Sequence, residues 1–170
     1  AESASIDANT PTITGASATP TTGLRKVGDT LTVTVTVDDG PTDTGMSAGT
    51  TVASSVNGAA VTGFTDHSDG TYSYTYTVSE GDADRAADAL PVSMTVKDPA
   101  GNEVSAYTTS PAESAAVDAN TPTITGASAS PTTGLRKVGD EVTVTVTVDD
   151  GATDTGMSAG TAVASTVNGA

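Results

Sequence analysis

The sequence has no cysteine, no tryptophan and a single histidine. Without cysteine, no disulfide can join its segments, and no thiolate can bind a metal or act as a nucleophile. Zinc sites and Ser-His-Asp triads both use histidine, so an enzyme would depend entirely on His67. Because His67 lies between Asp66 and Asp69 in the turn-like segment DHSDG, we expect a solvated hairpin turn there and no enzymatic function.

Basic residues are scarce too, with 6 Lys and Arg against 21 Asp and Glu and a net charge of −15. Such a chain repels nucleic acid and anionic membranes, so we expect neither as a partner. No apolar run approaches the roughly 20 residues of a membrane helix, and no segment resembles a signal peptide. We therefore expect no membrane insertion in this segment. The acidity instead favours divalent cations wherever carboxylates converge.

The chain repeats itself after 111 residues, because residues 1–59 return as residues 112–170 with only eight differences. A period of ~100 residues is too long for a solenoid unit and fits a whole small domain. We therefore predict tandem domains. The end of a preceding repeat and a linker occupy 1–8, a complete repeat occupies 9–119, and the first half of the next repeat occupies 120–170.

Strand signals dominate each repeat. Leu and Val alternate with Thr across residues 30–38, and Tyr alternates with Ser and Thr across residues 71–78, which is the period of a strand with one apolar face. Asn57-Gly58 is the strongest hairpin signal, and Ala100-Gly101-Asn102 indicates another turn. We predict strands at 11–17, 30–38, 50–56, 59–64, 71–78, 91–97 and 103–109.

Helix is indicated only at residues 80–90, EGDADRAADAL, which could form one or two turns. About seven regularly spaced strands with polar turns and almost no helix predict an all-β protein. The expected architecture is an antiparallel β-sandwich, and a barrel is the less favoured alternative.

Three segments, KVGDTLTVTVTV, GTYSYTYTVSEGDADRAADAL and VKDPAGNEVS, resemble the bacterial immunoglobulin-like repeats of giant surface adhesins. The resemblance covers nearly the whole period and implies immunoglobulin-like β-sandwiches in tandem. In that family such repeats are extender domains that hold a terminal binding domain away from the cell, with calcium at the linkers making the string rod-like. The resemblance therefore implies cell adhesion, an extracellular or cell-surface location, and adjacent repeats of the same chain as partners.

The segment Ala4–Pro11 recurs as Ala115–Pro122, after the last predicted strand of one repeat and before the first strand of the next. Its D-A-N-x-P run resembles the linker of calcium-binding tandem domains. Calcium takes about six to eight oxygen ligands, so the linker would need help from a nearby turn or from backbone carbonyls. The alternative is that Asp and Asn simply favour turns. The candidate calcium ligands are Asp7, Asn9, Asp98, Asn102, Asp118 and Asn120.

Two further groups of carboxylates are interpreted without a metal. Those in the loop DDGPTDTGM would repel one another unless solvated or bound to a cation, and we expect a solvated loop. Those in EGDADRAADAL lack the glycine and the distal glutamate of an EF-hand loop, so we expect a negatively charged helix start. The first group comprises Asp38, Asp39 and Asp43, repeated as Asp149, Asp150 and Asp154, and the second comprises Glu80, Asp82, Asp84 and Asp88.

The expected function is a non-catalytic structural extender of a large fibrous adhesin. The alternative is a carbohydrate- or protein-binding module, which the strand pattern disfavours because it turns the tyrosines towards the core. Residues 120–170 hold only about the first three strands of a sandwich, and these alone would expose an apolar face and open edges. Either the chain continues beyond this segment, or another copy supplies the missing strands by strand complementation.

Overall fold

The computed structural model describes residues 6–40 and 45–151, and within these ranges the chain is all-β with no helix. The chain divides into two compact units, Ala1–Asn120 and Thr121–Ala170. In the described ranges, no helix is long and apolar enough to cross a membrane. Asp43 and Asp154 of the acidic loops lie outside the described residues.

Among the described residues, the first unit contains eleven strands and the second contains two. In the first unit these are β1 (Thr12–Thr19), β2 (Leu24–Arg25), β3 (Thr30–Asp38), β4 (Ser47–Ala48), β5 (Ser55–Val56), β6 (Ala59–Ala60), β7 (Thr62–Asp66), β8 (Thr71–Thr77), β9 (Val92–Ser93), β10 (Val96–Lys97) and β11 (Ala116–Val117). In the second unit they are β12 (Thr123–Ser130) and β13 (Thr143–Asp149).

The main sheet of the first unit has the order β1-β3-β8-β7, with every neighbouring pair antiparallel. The apolar positions of β3 and β8 are buried, which confirms the period-two prediction for both strands. They also lie directly opposite each other, with Leu31 paired to Tyr76 and Val33 paired to Tyr74. Burial of side chains of this size contributes about 1.5–3 kcal/mol each, so this shared face is the principal source of stability.

A second set of short strands supplies the other half of the core. β6-β5-β9 and β10-β4 form small antiparallel sheets. Their apolar side chains Val56, Val92 and Val96, together with Leu90 and Met94, join one core cluster with the face of β3 and β8. This arrangement is consistent with a β-sandwich. One short pair, β11 with β2, is parallel and departs from the predicted antiparallel pattern.

The turn at Asn57-Gly58 is confirmed as the hairpin between β5 and β6. Both residues have positive φ, 55° and 81°, which the favoured two-residue hairpin turn requires and which Asn and Gly tolerate best. The Asn57 side chain is buried. Its Nδ2 donates to the Tyr76 hydroxyl at 3.2 Å and to the Ala83 carbonyl at 2.7 Å, and its Oδ1 accepts a hydrogen bond from Arg85 Nε at 2.7 Å.

Several predicted elements differ in the structure. The strand predicted at 50–56 is reduced to Ser55–Val56, and those predicted at 59–64 and 91–97 are each divided into two strands. Two further differences have a clear cause. Residues 80–90 are not helical, because their backbone pairs with the segment before the second unit, where Arg85 and Val117 form a bridge. The strand predicted at 103–109 is reduced to two isolated bridges, Lys97 with Glu103 and Met94 with Tyr107. In both cases pairing with a distant part of the chain determines the backbone conformation, and local sequence propensity does not reflect such pairing.

The second unit repeats the first hairpin. β12 and β13 pair antiparallel, with Thr123 opposite Asp149, just as Thr12 lies opposite Asp38 in β1 and β3. Each pair also has one register shift at the equivalent point, between Ile13 and Gly15 in β1 and between Ile124 and Gly126 in β12. The repeat in sequence is therefore a repeat in register.

Candidate functional site

Three carboxylates meet at one end of the first unit. One oxygen each from Asp7, Asp39 and Asp98 lies within 4.8 Å of the other two, and no other such group of three occurs in ranges 6–40 and 45–151. Asp7 precedes β1, Asp39 follows β3 and Asp98 follows β10, so the fold brings together three distant parts of the chain. Asp39 and Asp98 are only 1% and 2% exposed.

Asp98 is held by the turn that follows it. Its Oδ1 accepts hydrogen bonds from the backbone N–H groups of Gly101 at 2.6 Å and Asn102 at 2.8 Å, and its Oδ2 accepts one from Asn102 Nδ2 at 2.7 Å. Burial raises the pKa of Asp98, but these hydrogen bonds outweigh burial and hold the pKa of the carboxyl below its ordinary value. Asp98 therefore carries its charge at neutral pH, and Asn102 contacts it through N–H donors.

Asn9 lies beside the same group. Its backbone N–H donates to Asp7 Oδ1 at 3.1 Å, and its side-chain Nδ2 lies 3.6 Å from the position that a Cβ would occupy on Gly40. Gly40 directly follows Asp39 and has a φ of +69°, a conformation that glycine adopts without strain. Of the six candidate ligands, Asp7, Asn9, Asp98 and Asn102 thus lie in or next to this carboxylate group.

The other two candidate ligands lie elsewhere. The Asp118 backbone N–H donates to the carbonyl of Arg25 at 2.8 Å, and Asn120 Nδ2 donates to Asp84 Oδ1 at 3.0 Å. Arg25 precedes β3 whereas Asp39 follows it, so the nine residues of β3, about 30 Å of strand, separate the two places. By the 111-residue shift, Asp118 occupies in the second repeat the position that Asp7 occupies in the first.

Asp39 was not among the predicted ligands, and the prediction of a solvated loop is wrong for it because its side chain is buried. Asp38, its neighbour, is exposed as expected. The alternation of residues along β3 already indicated that Asp39 would be buried. Leu31, Val33, Val35 and Val37 all point into the core, and Asp39 continues the same alternation. The equivalent Asp150 is buried as well, at 5% exposed.

The acids of residues 80–90 also have a different role from the one predicted. Asp84 Oδ1 accepts a hydrogen bond from the Ala119 backbone at 2.9 Å, and Asp88 Oδ1 accepts one from the Ser114 backbone at 2.9 Å. Asp82 Oδ2 accepts one from the Tyr76 hydroxyl at 2.7 Å. These carboxylates do not begin a helix. They cap backbone groups and a buried hydroxyl of the first unit.

The carboxylate group is an oxygen-only ligand set. Three ionised carboxylates this close repel one another, and a divalent cation would offset that repulsion. Carboxylate, carbonyl and water oxygens suit Ca²⁺, which accepts about six to eight ligands in flexible geometry, better than they suit the softer transition metals. The oxygen ligands of Asp7, Asp39 and Asp98 are therefore of the type that suits calcium.

His67 closes the turn between β7 and β8. Its Nε2 lies 3.0 Å from Ser73 Oγ, which is the distance between base and nucleophile in a triad. The neighbouring carboxylates are used differently, because Asp66 accepts from the Ser68 backbone at 2.7 Å and Asp69 from Thr71. The Thr71 hydroxyl and backbone N–H lower the pKa of Asp69. These bonds define a hairpin turn, as expected.

No family model, no curated protein and no solved structure matches this chain. Its function is therefore inferred from three properties of the molecule: the near-identical repeats, the points where the chain enters and leaves the first unit, and the carboxylate group at Asp39.

Proposed function

We propose that the chain is part of a non-catalytic extender in a large extracellular or cell-surface adhesin, with immunoglobulin-like β-sandwiches in tandem. One observation carries the proposal: the chain enters and leaves the first unit at opposite ends of β3. Asp7 lies next to Asp39, after β3, whereas Asp118 pairs with Arg25, before β3. A domain entered at one end and left at the other adds its own length to an array.

The exit of the first unit is fixed from two sides. On one side the backbone N–H groups of Ala116 and Asp118 donate to the carbonyls of Gly23 at 3.0 Å and Arg25 at 2.8 Å. On the other side Val117 pairs with Arg85. A segment bonded along both edges has lost most of its backbone freedom, so the point where the chain leaves the first unit is fixed within that unit. The segment predicted as a linker at 115–122 is therefore built into the unit as far as residue 120.

The placement of the aromatic rings favours an extender over the carbohydrate-binding alternative. Tyr72, Tyr74 and Tyr76 are buried in the core, where they cannot stack on a sugar ring. Phe64 is half-buried and packs against Tyr72 and Tyr74, with ring centroids 5.7 and 5.2 Å apart. Near-identical repeats also fit a spacer, because each unit then has the same role.

Calcium is the second part of the proposal. A cation held by Asp7, Asp39 and Asp98 would tie the segment before β1 to the end of β3 and to the turn after β10. It would therefore stiffen the point where the chain enters the unit. By sequence, Asp118 and Asp150 are the equivalents of Asp7 and Asp39 in the next repeat.

Small-angle scattering tests the extender. Polypeptides of one, two and three whole repeats are compared, and the maximum dimension is expected to grow by a constant increment, at least the ~30 Å length of β3, for each added repeat. A maximum dimension that levels off, as in a folded-back particle, would contradict the proposal.

Thermal unfolding tests calcium separately. The chain is melted in Ca²⁺, in chelator, and in Na⁺ at matched ionic strength. We expect Ca²⁺ to raise the melting temperature of the first unit by on the order of 5 °C or more. Asp39→Asn should abolish most of that rise, whereas Asp38→Asn, at the exposed neighbouring carboxylate, should preserve it. If Ca²⁺ has no effect, calcium is removed from the mechanism, and the extender depends on the scattering result alone.

A further inference from the structure

The strand by which the chain enters the first unit lies along the direction of a pull on that end. β1 begins with Thr12 opposite Asp38 and ends with Thr19 opposite Thr32, and it is antiparallel to β3. A pull on the chain before β1 therefore draws the strand lengthwise past β3. In a tandem array under tension, such a pull acts on both ends of a unit, and only this source of load depends on the proposed function.

The strand by which the chain leaves the unit is placed to resist the same pull. It belongs to residues 114–119, which we call the exit segment, and its strand β11 is parallel to β2, with Ala116 opposite Leu24 and Val117 opposite Arg25. The start of β2 is connected through β1 to the point of entry, and the end of the exit segment leads to the point of exit. Opposite pulls at these two places act along both strands, so the hydrogen bonds between them share the load.

Hydrogen bonds hold the exit segment along both of its edges. Towards β2, three of its backbone N–H groups donate to carbonyls within residues 20–25, at 2.8–3.1 Å. Four backbone hydrogen bonds of 2.8–3.1 Å join its other edge to residues 81–88, where Asp84 and Asp88 each accept one further N–H at 2.9 Å. The apolar side chains of the exit segment are 2% exposed or less, so water has little access to replace these bonds.

We propose that the exit segment is a mechanical clamp, which bears tension between the two ends of the unit and forms the main barrier to unfolding by force. Release of β1 alone does not unfold the unit, because β2 follows β1 and then takes the load directly against the exit segment. The parallel pairing of β11 with β2, which departs from the predicted antiparallel pattern, thus turns a pull on the chain into shear. Residues 81–88 hold the other edge and keep the segment from being peeled away.

The test stretches the whole chain in an optical trap through pairs of introduced cysteines, which are unique attachment points because the sequence has none of its own. Thr10→Cys with Pro122→Cys loads the exit segment along its strand. Ser79→Cys with Pro122→Cys pulls the same segment from the end where Gly81 bonds to Ala119, so its bonds to residues 81–88 open in turn. All three attachment residues are exposed.

We expect the first pair of attachments to give one main unfolding step of roughly 300 Å, at a force about twofold or more above the force that opens the second pair. Both pairs are measured in chelator, and the load enters after Asp7, so a cation at the carboxylate group plays no part in the difference. The comparison needs no change within the exit segment itself.

Substitutions then separate the clamp from general stability. Ala116→Pro removes the N–H that donates to Gly23 at 3.0 Å and should unfold about tenfold faster at constant force in the first pair. Ala112→Pro, at an exposed residue before the exit segment, is the matched control and should stay within about twofold of the parent chain. Val96→Ala, in the core at β10, should lower the urea midpoint yet accelerate unfolding under force less than Ala116→Pro does.

The proposal is overturned if the two pairs of attachments unfold at the same force, and this comparison decides even where Ala116→Pro does not fold. It is also overturned if Val96→Ala unfolds faster under force than Ala116→Pro. The extender fails by a different measurement, because a particle that folds back in scattering leaves the difference between the two pulling directions intact. Conversely, an array that lengthens by a constant increment can do so without a clamp.

Discussion

Arg85 and Val117 exchange two backbone hydrogen bonds, with the Arg85 N–H donating to Val117 at 2.9 Å and the Val117 N–H donating to Arg85 at 2.8 Å. This pair joins the segment that was predicted to be helical to the segment that was predicted to be a linker. The 80–90 segment thus finds backbone partners in the 114–119 segment, which also donates to Gly23 and Arg25, and this pairing explains both departures from the sequence prediction.

Asp84 secures the same junction, and its removal gives the first prediction. Its Oδ1 accepts hydrogen bonds from the Ala119 backbone at 2.9 Å and from Asn120 Nδ2 at 3.0 Å. We expect Asp84→Ala to lower the free energy of unfolding of the first unit by about 1–3 kcal/mol, because hydrogen bonds to a charged group are lost. Hydrogen exchange at Ala119 and Asn120 should accelerate.

The control for this prediction is Asp66→Ala, which removes a carboxylate that accepts one hydrogen bond from Ser68 in an exposed turn. It should cost less than about 1 kcal/mol and leave exchange at residues 117–120 unchanged. Equal exchange in the two variants would show that Asp84 does not hold the exit of the unit.

Features encoded within one strand or one turn were predictable from the sequence. The alternation in β3 and β8 placed the right side chains in the core, and Asn57-Gly58 marked a real hairpin. Features that depend on strand order were not predictable in the same way. Residues 80–90 have a local helical pattern, but their partner lies about 30 residues further along, and nothing in the local sequence reports that pairing.

The candidate site was likewise predictable from the sequence only in part. Asp7 and Asp98 were chosen for their place in a linker and a turn, and the structure brings them together. Asp118 was predicted as a ligand because it is the equivalent of Asp7 in the next repeat. It lies beside Arg25 instead, since one period of the chain spans the whole unit. Asp39 was predicted to be solvated because the carboxylates of its loop would repel one another, although the alternation along β3 directs its side chain inwards.

Asn57 gives the second prediction, because it combines three side-chain hydrogen bonds, one buried and two partly buried, with a φ of 55°. Asn57→Ala should lower the free energy of unfolding by about 2–4 kcal/mol. It leaves Arg85 Nε and the Tyr76 hydroxyl with fewer partners, and Ala tolerates the left-handed conformation less well than Asn does. Asn57→Gly loses the same hydrogen bonds without that strain. It should therefore be more stable than Asn57→Ala by about 1 kcal/mol in urea unfolding. A reversed order would indicate that the backbone conformation carries no cost.

Tyr74 gives the third prediction, at alkaline pH. Burial raises the pKa of Tyr74 to about 12 from 10.0, and its hydroxyl donates to the Thr95 carbonyl at 2.6 Å. Because the pKa is higher in the folded state, the neutral phenol contributes stability that is present below about pH 10 and lost as the pH rises towards 12. Tyr74→Phe should be less stable than the parent chain at neutral pH by about 1–2 kcal/mol. The difference should shrink above about pH 10. A constant difference across this range would contradict the assignment.

Glu103 gives the fourth prediction, at acid pH. The backbone N–H of Thr51 lies 2.9 Å from Glu103 Oε1, and that hydrogen bond, with a weaker one from Val52, lowers the pKa of Glu103 to about 2 from 4.5. Because the pKa is lower in the folded state, ionised Glu103 contributes stability above about pH 4.5, and that stability is lost as the pH falls towards 2.

Glu103→Gln should therefore unfold at lower urea concentration than the parent chain at neutral pH, and its stability should change less between about pH 5 and pH 2. Glu113→Gln, at an exposed glutamate of the same unit, is the matched control and should follow the parent chain throughout. The backbone of Glu103 bridges to Lys97 of β10, and its carboxylate accepts hydrogen bonds from the backbone that follows β4. Glu103 therefore joins these two segments, alongside the hydrogen bonds from Ser47 to the Lys97 carbonyl and from Lys97 to Thr50. If Glu103→Gln and Glu113→Gln have superimposable acid profiles, the carboxylate does not clamp β4 to β10, and the other hydrogen bonds between these segments hold them.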